Sequence, residues 1–166
     1  MAGMIGQLLE IMDEQVERHK ELLGLSLEEK DAIVQNDIET LGKLVNLKNI
    51  VISQNNRLEK KRVSLVNDIA HVMGSDKTDI DFATLVDIMK GMPEEDQLKD
   101  VGSRLREVVN QLKEANDLNK ELLESALEYV EFSINALKTS ILPEQNLHIG
   151  RGPVEDESLG TFDTTR

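Results

Sequence analysis

The chain has 166 residues and a formal net charge of −13 at pH 7. Such a charge repels phosphate backbones and anionic lipid, so nucleic acid and membrane surfaces are not the expected partners. Cysteine is absent, which excludes disulfides and thiolate zinc sites. Apolar residues make up 39% of the chain and aromatic residues only 2%. The core must therefore be aliphatic, which is typical of helices packed on helices.

The first residues, MAGMIGQLLEIMDEQ, contain neither a basic n-region nor a continuous apolar h-region. They are therefore not expected to act as a signal peptide. No run of the sequence reaches the roughly 18 apolar residues of a membrane span. We expect a cytoplasmic protein that does not insert into membranes.

Apolar residues spaced alternately by three and four predict a first helix over about residues 3–35 and a second over about 38–73. Between them, Asn36 tolerates a left-handed conformation and Asp37 can cap the second helix. These two residues predict a tight turn. The two helices are therefore expected to form an antiparallel hairpin with a coiled-coil seam.

In such a hairpin, facing residues have numbers that sum to about 74 if the chain reverses at the predicted turn. This register places His19 beside Asn55, and Ser26 beside Lys48, as polar layers in an apolar seam. A polar layer of this kind lowers stability but specifies alignment. We interpret His19 and Asn55 as residues that set the register, not as catalytic residues.

The segment FATLVDIMK predicts a short third helix over about residues 81–90, and a last helix follows over about 94–140. At 1.5 Å per residue, the first two helices are roughly 50–55 Å long and the last is roughly 70 Å long. The last helix is therefore expected to overrun the hairpin by roughly 15–20 Å. We predict an elongated all-α domain over residues 3–142. Because residues 143–166 combine proline, glycine and acidic residues without an apolar period, they are expected to form a flexible tail.

The last helix carries two apolar stripes, although one is enough to seal a helical bundle. The second stripe, hereafter the α4 stripe, consists of Leu123, Leu127, Val130, Ile134, Leu137 and Ile141. Up to about Val130 it is either part of the core or a binding surface, and beyond that point the length argument favours a surface. A partner's amphipathic helix could bind there by its own apolar face. A homodimer could bury the same residues.

Three features of the sequence resemble the FlgN family. They are the hairpin turn NDIETL with a later KKR segment (Lys60, Lys61, Arg62), the TLVDI helix ahead of a proline, and the Asn116/Asn119 pair followed by Leu122-Leu123 and Tyr129-Val130. The resemblance covers about residues 5–142. It implies a cytoplasmic chaperone of bacterial flagellar type III export that performs no chemistry.

By the same resemblance, the partners are the amphipathic terminal helices of hook–filament junction proteins and the export apparatus. Substrate binding is expected toward the C-terminus, where the α4 stripe lies. Tyr129 stands where the family often has an aromatic residue, so it is a candidate for docking to the export gate. The alternative is a tyrosine of the core.

Catalysis has little support in the sequence. His19, His71 and His148 lie in different predicted segments and have no second histidine or cysteine at ligand spacing. We therefore predict no metal, no cofactor and no enzymatic activity. A histidine phosphotransfer bundle is a remote alternative. A homo-oligomeric coiled-coil tether is a closer one, although a tether would have no reason to carry a second apolar stripe.

Overall fold

The computed structural model describes the backbone of residues 2–141 and the side chains of residues 3–140. Within this range there are four helices and no strand: α1 (Ala2–Val34), α2 (Ile38–Val72), α3 (Phe82–Ile88) and α4 (Glu95–Ile141). The predicted all-α fold, with a hairpin, a short helix and a long last helix, is confirmed. The predicted tail lies outside the described residues.

The chain divides into two compact units, Met1–Glu124 and Ser125–Arg166. The first unit contains α1, α2, α3 and the first part of α4. The described part of the second unit is the rest of α4. The whole of α4 is one uninterrupted helix of 47 residues. The predicted overrun of α4 beyond the hairpin depends on how the two units are placed, so it stays a prediction.

The turn between α1 and α2 has the chemistry that its sequence predicts. Asn36 adopts a left-handed φ of 54°, and the Asp37 N–H donates to the Ala32 carbonyl oxygen at 2.9 Å, which closes the end of α1. The Asp37 carboxylate then accepts a hydrogen bond from the Thr40 N–H at 3.1 Å and caps α2. A hydrogen bond with the Thr40 side chain, together with this backbone bond, lowers the pKa of Asp37. The chain therefore reverses where expected.

The pairing of α1 with α2 agrees with the predicted register. Gln15 Nε2 donates to Glu59 Oε2 at 2.8 Å, and these two residue numbers sum to 74. Arg18 Nη1 donates to Gln54 Oε1 at 3.5 Å, with a sum of 72. The hairpin is therefore antiparallel, with facing positions close to those that the turn dictates.

The first part of α4 runs parallel to α1. Arg104 Nη2 donates to Asp13 Oδ1 at 2.7 Å across 91 positions of sequence, and Asn119 Nδ2 donates to the Ser26 carbonyl oxygen at 2.7 Å across 93 positions. Both contacts lie within the first unit, so α4 keeps an offset of 91 to 93 residues from α1 as far as Asn119.

The main core lies toward the end of the first unit where α1 begins and α2 ends. Its members come from all four helices: Ile5, Leu8, Met12, Val16, Val66, Ile69, Leu85, Met89, Leu98 and Val101. Aliphatic residues and methionine make up this core, as the low aromatic content requires. The short helix α3 contributes Leu85 and the residue that caps it, Met89, both fully buried.

A close approach between α3 and α4 requires a glycine within α4. The Phe82 ring lies against Gly102, and a Cβ on Gly102 would overlap two carbons of that ring. Glycine in a helix interior costs roughly 0.5–1 kcal/mol relative to alanine, so its presence here is explained by the ring.

Replacing Gly102 with alanine is expected to destabilise the fold by about 1–3 kcal/mol, because the added methyl group overlaps the Phe82 ring. Gly42 also lies inside a helix, but a Cβ added there would have no atom within 4 Å, so Gly42→Ala is the matched control. It should stabilise by about 0.5–1 kcal/mol. Urea unfolding measures both, and equal changes in the two variants would contradict the packing described.

Candidate partner-binding surfaces

The α4 stripe is exposed over its described length. The exposed fractions are 39% for Leu123, 63% for Leu127, 51% for Val130, 45% for Ile134 and 57% for Leu137. Ile141 ends α4, and its side chain lies outside the described range. The choice between core and binding surface for the stripe up to Val130 stays a prediction. A row of exposed aliphatic side chains on one helix is typical of an interaction surface.

Regular helical structure aligns the side chains of this stripe. Successive members are four, three, four and three residues apart, so they occupy one side of the helix. Near the end of α4, Thr139 Oγ1 donates to the Asn135 carbonyl oxygen at 2.9 Å and Ser140 Oγ to that of Ala136 at 2.8 Å. Lys138 lies in the last turn, where a positive charge is favourable to the helix dipole.

Two aromatic residues of the second unit are also exposed. Tyr129 is 71% exposed, and both its docking role and the alternative of a core tyrosine stay predictions. Phe132 is 71% exposed as well, and it was not among the predicted site residues. Because Phe132 follows Val130 by two positions, it points away from the α4 stripe. The sequence feature that could have identified Phe132 is an aromatic residue on an otherwise polar side of α4.

A partly buried polar cluster joins the three long helices of the first unit. Lys48 Nζ on α2 donates to Glu29 Oε2 on α1 at 2.7 Å and to Asn116 Oδ1 on α4 at 3.2 Å. Ser26 Oγ donates to the same Asn116 oxygen at 2.9 Å. Asn119 Nδ2 donates to the Ser26 carbonyl oxygen at 2.7 Å. We call these five residues the polar cluster.

The polar cluster sets the alignment of α4 on the hairpin. The side chains of Lys48 and Glu29 are only 15% and 10% exposed, so each charge depends on the other for its stability. The predicted register placed Ser26 beside Lys48, and the structure links them through Asn116. Glu29 was not anticipated, because a glutamate outside the seam usually faces water.

The hydrogen bonds of His19 and Asn55 differ from those expected of the predicted polar layer. His19 Nδ1 lies 2.7 Å from the Gln15 carbonyl oxygen, one turn back in the same helix. Asn55 Oδ1 is buried and has no hydrogen-bond partner among the described residues. The hydrogen bond that crosses from α1 to α2 at this level comes from Gln15 instead. The register-setting role of His19 and Asn55 stays a prediction.

His19 and Asn55 both line a crevice of about 410 Å³ in the first unit. Its wall includes residues of all four helices: Met12, Gln15, His19, Asn55, Asn56, Glu59, Arg62, Phe82, Gly102, Leu105, Arg106 and Val109. The Arg62 guanidinium forms two hydrogen bonds with the Glu59 carboxylate at 2.9 and 2.6 Å. These bonds, with a further one from Gln15, lower the pKa of Glu59, and the same pairing raises the pKa of Arg62.

The comparison with protein families decides the identity. A family model described as FlgN protein matches residues 1–147. The chain belongs to the FlgN family. In general terms, this makes it a flagellar export chaperone. No curated protein and no solved structure matches the chain.

FlgN membership agrees with the resemblance found in the sequence, and it assigns the chain to a family of chaperones. Among the described residues, no group of three histidine or acidic side chains could hold a metal ion. None of the described helices has the length and hydropathy needed to cross a membrane.

Lys48→Met tests the polar cluster of this FlgN-family chain. The change leaves the Glu29 carboxylate buried without its cation, so a loss of about 3–5 kcal/mol is expected. Lys20→Met is the matched control, because Lys20 and Glu17 form an exposed pair at 57% and 64% side-chain exposure. That control should change stability by less than about 1 kcal/mol. Urea unfolding provides both values. Similar losses of stability in the two variants would show that the polar cluster adds no more stability than an exposed ion pair.

Proposed function

We propose that this chaperone binds amphipathic helices of exported flagellar proteins along the α4 stripe. The observation that carries the proposal is the exposure of Leu123, Leu127, Val130, Ile134 and Leu137, none of which is less than 39% exposed. Their spacing of four and three residues fits the apolar face of a second helix. Exposure at five successive members of the stripe supports binding of a partner more than a place in the core.

The apolar area is large enough to support reversible binding. Full burial of an aliphatic side chain contributes roughly 1.5–3 kcal/mol, and about half of each stripe residue is exposed. Five half-exposed residues and a similar set on the partner would together supply about 8–15 kcal/mol before costs. Association costs roughly 4–15 kcal/mol. We therefore expect an affinity in the micromolar range.

The proposed substrates are hook–filament junction proteins, whose terminal helices the chaperone would keep from assembling early and deliver to the export apparatus. Family membership supports an export role, and the resemblance described above supports this substrate class. We place the activity in the cytoplasm, where export substrates are made. Tyr129 is proposed to contact the export gate, since its ring is 71% exposed beside the α4 stripe.

The test is the double variant Leu127→Asp/Ile134→Asp in the full chain. Two carboxylates in the centre of the apolar contact should weaken binding of a junction protein's terminal-helix peptide by at least about 100-fold, because each buried unpaired charge is strongly unfavourable. Isothermal titration calorimetry measures the affinity. Since both residues are exposed, the thermal unfolding midpoint should stay unchanged.

Phe132→Asp is the matched control, because Phe132 is exposed on the same helix outside the α4 stripe. It should bind within about threefold of the natural chain. Equal losses of affinity in the control and in the double variant would show that the binding site lies elsewhere on α4. If the natural chain binds no terminal helix at all, the tether alternative would replace the proposal.

A further inference from the structure

Two buried oxygen atoms in the wall of the first unit's crevice have no hydrogen-bond donor. They are Gln15 Oε1 and Asn55 Oδ1, and neither has a partner among the described residues. Gln15 as a whole is only 2% exposed. Buried amide oxygens nearly always accept a hydrogen bond, because an unpaired one lowers stability. Since both residues border a space of about 410 Å³, a ligand that carries N–H donors could satisfy them.

The neighbours of Gln15 define the acceptors of this wall. The Glu59 carboxylate can only accept, so the atom of the Gln15 amide that lies 2.8 Å from Glu59 Oε2 is the donor Nε2. Oε1 therefore needs a donor from elsewhere. His19 Nδ1 lies 2.7 Å from the Gln15 carbonyl oxygen, so in a neutral ring Nδ1 carries the hydrogen and Nε2 is an acceptor. The wall thus contains three acceptors, on α1 and α2.

The rest of the wall combines apolar side chains with one unpaired positive charge. Arg106 on α4 is exposed and forms no ion pair with another described residue. The Arg62 guanidinium, by contrast, is neutralised by Glu59. The apolar side chains are those of Met12, Phe82, Leu105 and Val109.

These groups define the chemistry of a ligand. The three acceptors match the three N–H donors of an ammonium group, and the Arg106 guanidinium matches a carboxylate. The apolar side chains match a hydrophobic group, and a volume of about 410 Å³ lies within the roughly 300–1,000 Å³ of small-molecule sites. We propose that the crevice binds a free α-amino acid with a large apolar side chain. Such a ligand has no net charge, so the chain's charge of −13 does not repel it.

This site is separate from the α4 stripe. All of its lining residues belong to the first unit, and no described residue of the α4 stripe is among them. The ligand contacts α1, α2 and α4 together, so its binding stabilises the folded first unit by mass action. Binding of the amino acid therefore does not depend on the proposed function.

Isothermal titration calorimetry of the full chain tests the site with L-leucine, L-methionine and L-phenylalanine. At least one of them should bind with a Kd of about 100 μM or tighter. L-aspartate should bind at least about 10-fold more weakly, because its second carboxylate would face apolar side chains. The amino acid that binds should also raise the thermal unfolding midpoint of the chain.

Two variants separate the acceptors from the positive charge. Asn55→Leu removes one acceptor and should weaken binding at least about 10-fold. Because it also removes an unpaired buried oxygen, it should not lower the thermal unfolding midpoint of the free chain. Arg106→Gln should weaken binding of L-leucine at least about 10-fold. It should leave binding of L-leucinamide unchanged, because that compound has no carboxylate.

Lys113→Gln is the matched control for Arg106→Gln. It removes the same charge from an exposed position seven residues further along the same side of α4, outside the crevice. Its affinity should stay within about twofold of the natural chain. Equal losses of affinity in Lys113→Gln and Arg106→Gln would overturn the proposal.

The proposal would also be overturned if none of the three amino acids binds at about 10 mM. Binding that is unchanged in both Asn55→Leu and Arg106→Gln, with circular dichroism showing folded chains, would have the same meaning. L-leucinamide and N-acetyl-L-leucine represent the N-terminal and the C-terminal residue of a protein. If either binds more tightly than L-leucine, the crevice takes the end of a polypeptide and not a free amino acid.

Discussion

The polar cluster fixes how α1, α2 and α4 align in the first unit. Lys48 bridges Glu29 and Asn116, and Asn119 reaches the backbone of Ser26. A shift of α4 by one turn, about 5.4 Å, would separate these groups, and the Lys48 ammonium would lose its hydrogen bond to Asn116. Aliphatic side chains alone would tolerate such a shift far better, because they have no directional bonds to lose. The cluster therefore defines a single alignment.

That alignment decides how much of α4 has a partner within the first unit. Hydrogen bonds hold α4 at an offset of 90 to 93 residues from α1 as far as Asn119. The apolar spacing of α4 continues beyond that residue without interruption, and its side chains are exposed. A sequence that keeps apolar residues where its own fold does not cover them maintains a surface for another molecule. We propose that the chaperone function uses that surface.

Local chemistry made most of the helices and the first turn predictable. Asn36 and Asp37 favour few conformations other than the one observed, and the hairpin register follows from the position of the turn. The polar cluster was only partly predictable, because its members come from three helices up to 93 residues apart. The contact between Phe82 and Gly102 was missed for a similar reason. A glycine in a helix does not by itself indicate which side chain lies against it.

The α4 stripe shows where periodicity stops being informative. Spacing identified Leu127 as part of an apolar side, but it could not distinguish a neighbouring helix of the same chain from a partner. The exposed fraction of Leu127, 63%, favours a partner. Tyr129 illustrates the same point, since a tyrosine suits both a core and an interface. Tertiary alignment, not local pattern, separates the two.

Hydrogen exchange of the full chain, alone and with a junction protein's terminal-helix peptide, tests the central claim most directly. If the α4 stripe is the substrate site, backbone amides of residues 120–141 should exchange more slowly in the complex, because a covered helix opens less often. Amides near the start of α1 and in α3 should exchange at the same rate in both samples. Protection confined to α1 or α3, with residues 120–141 unchanged, would contradict the account.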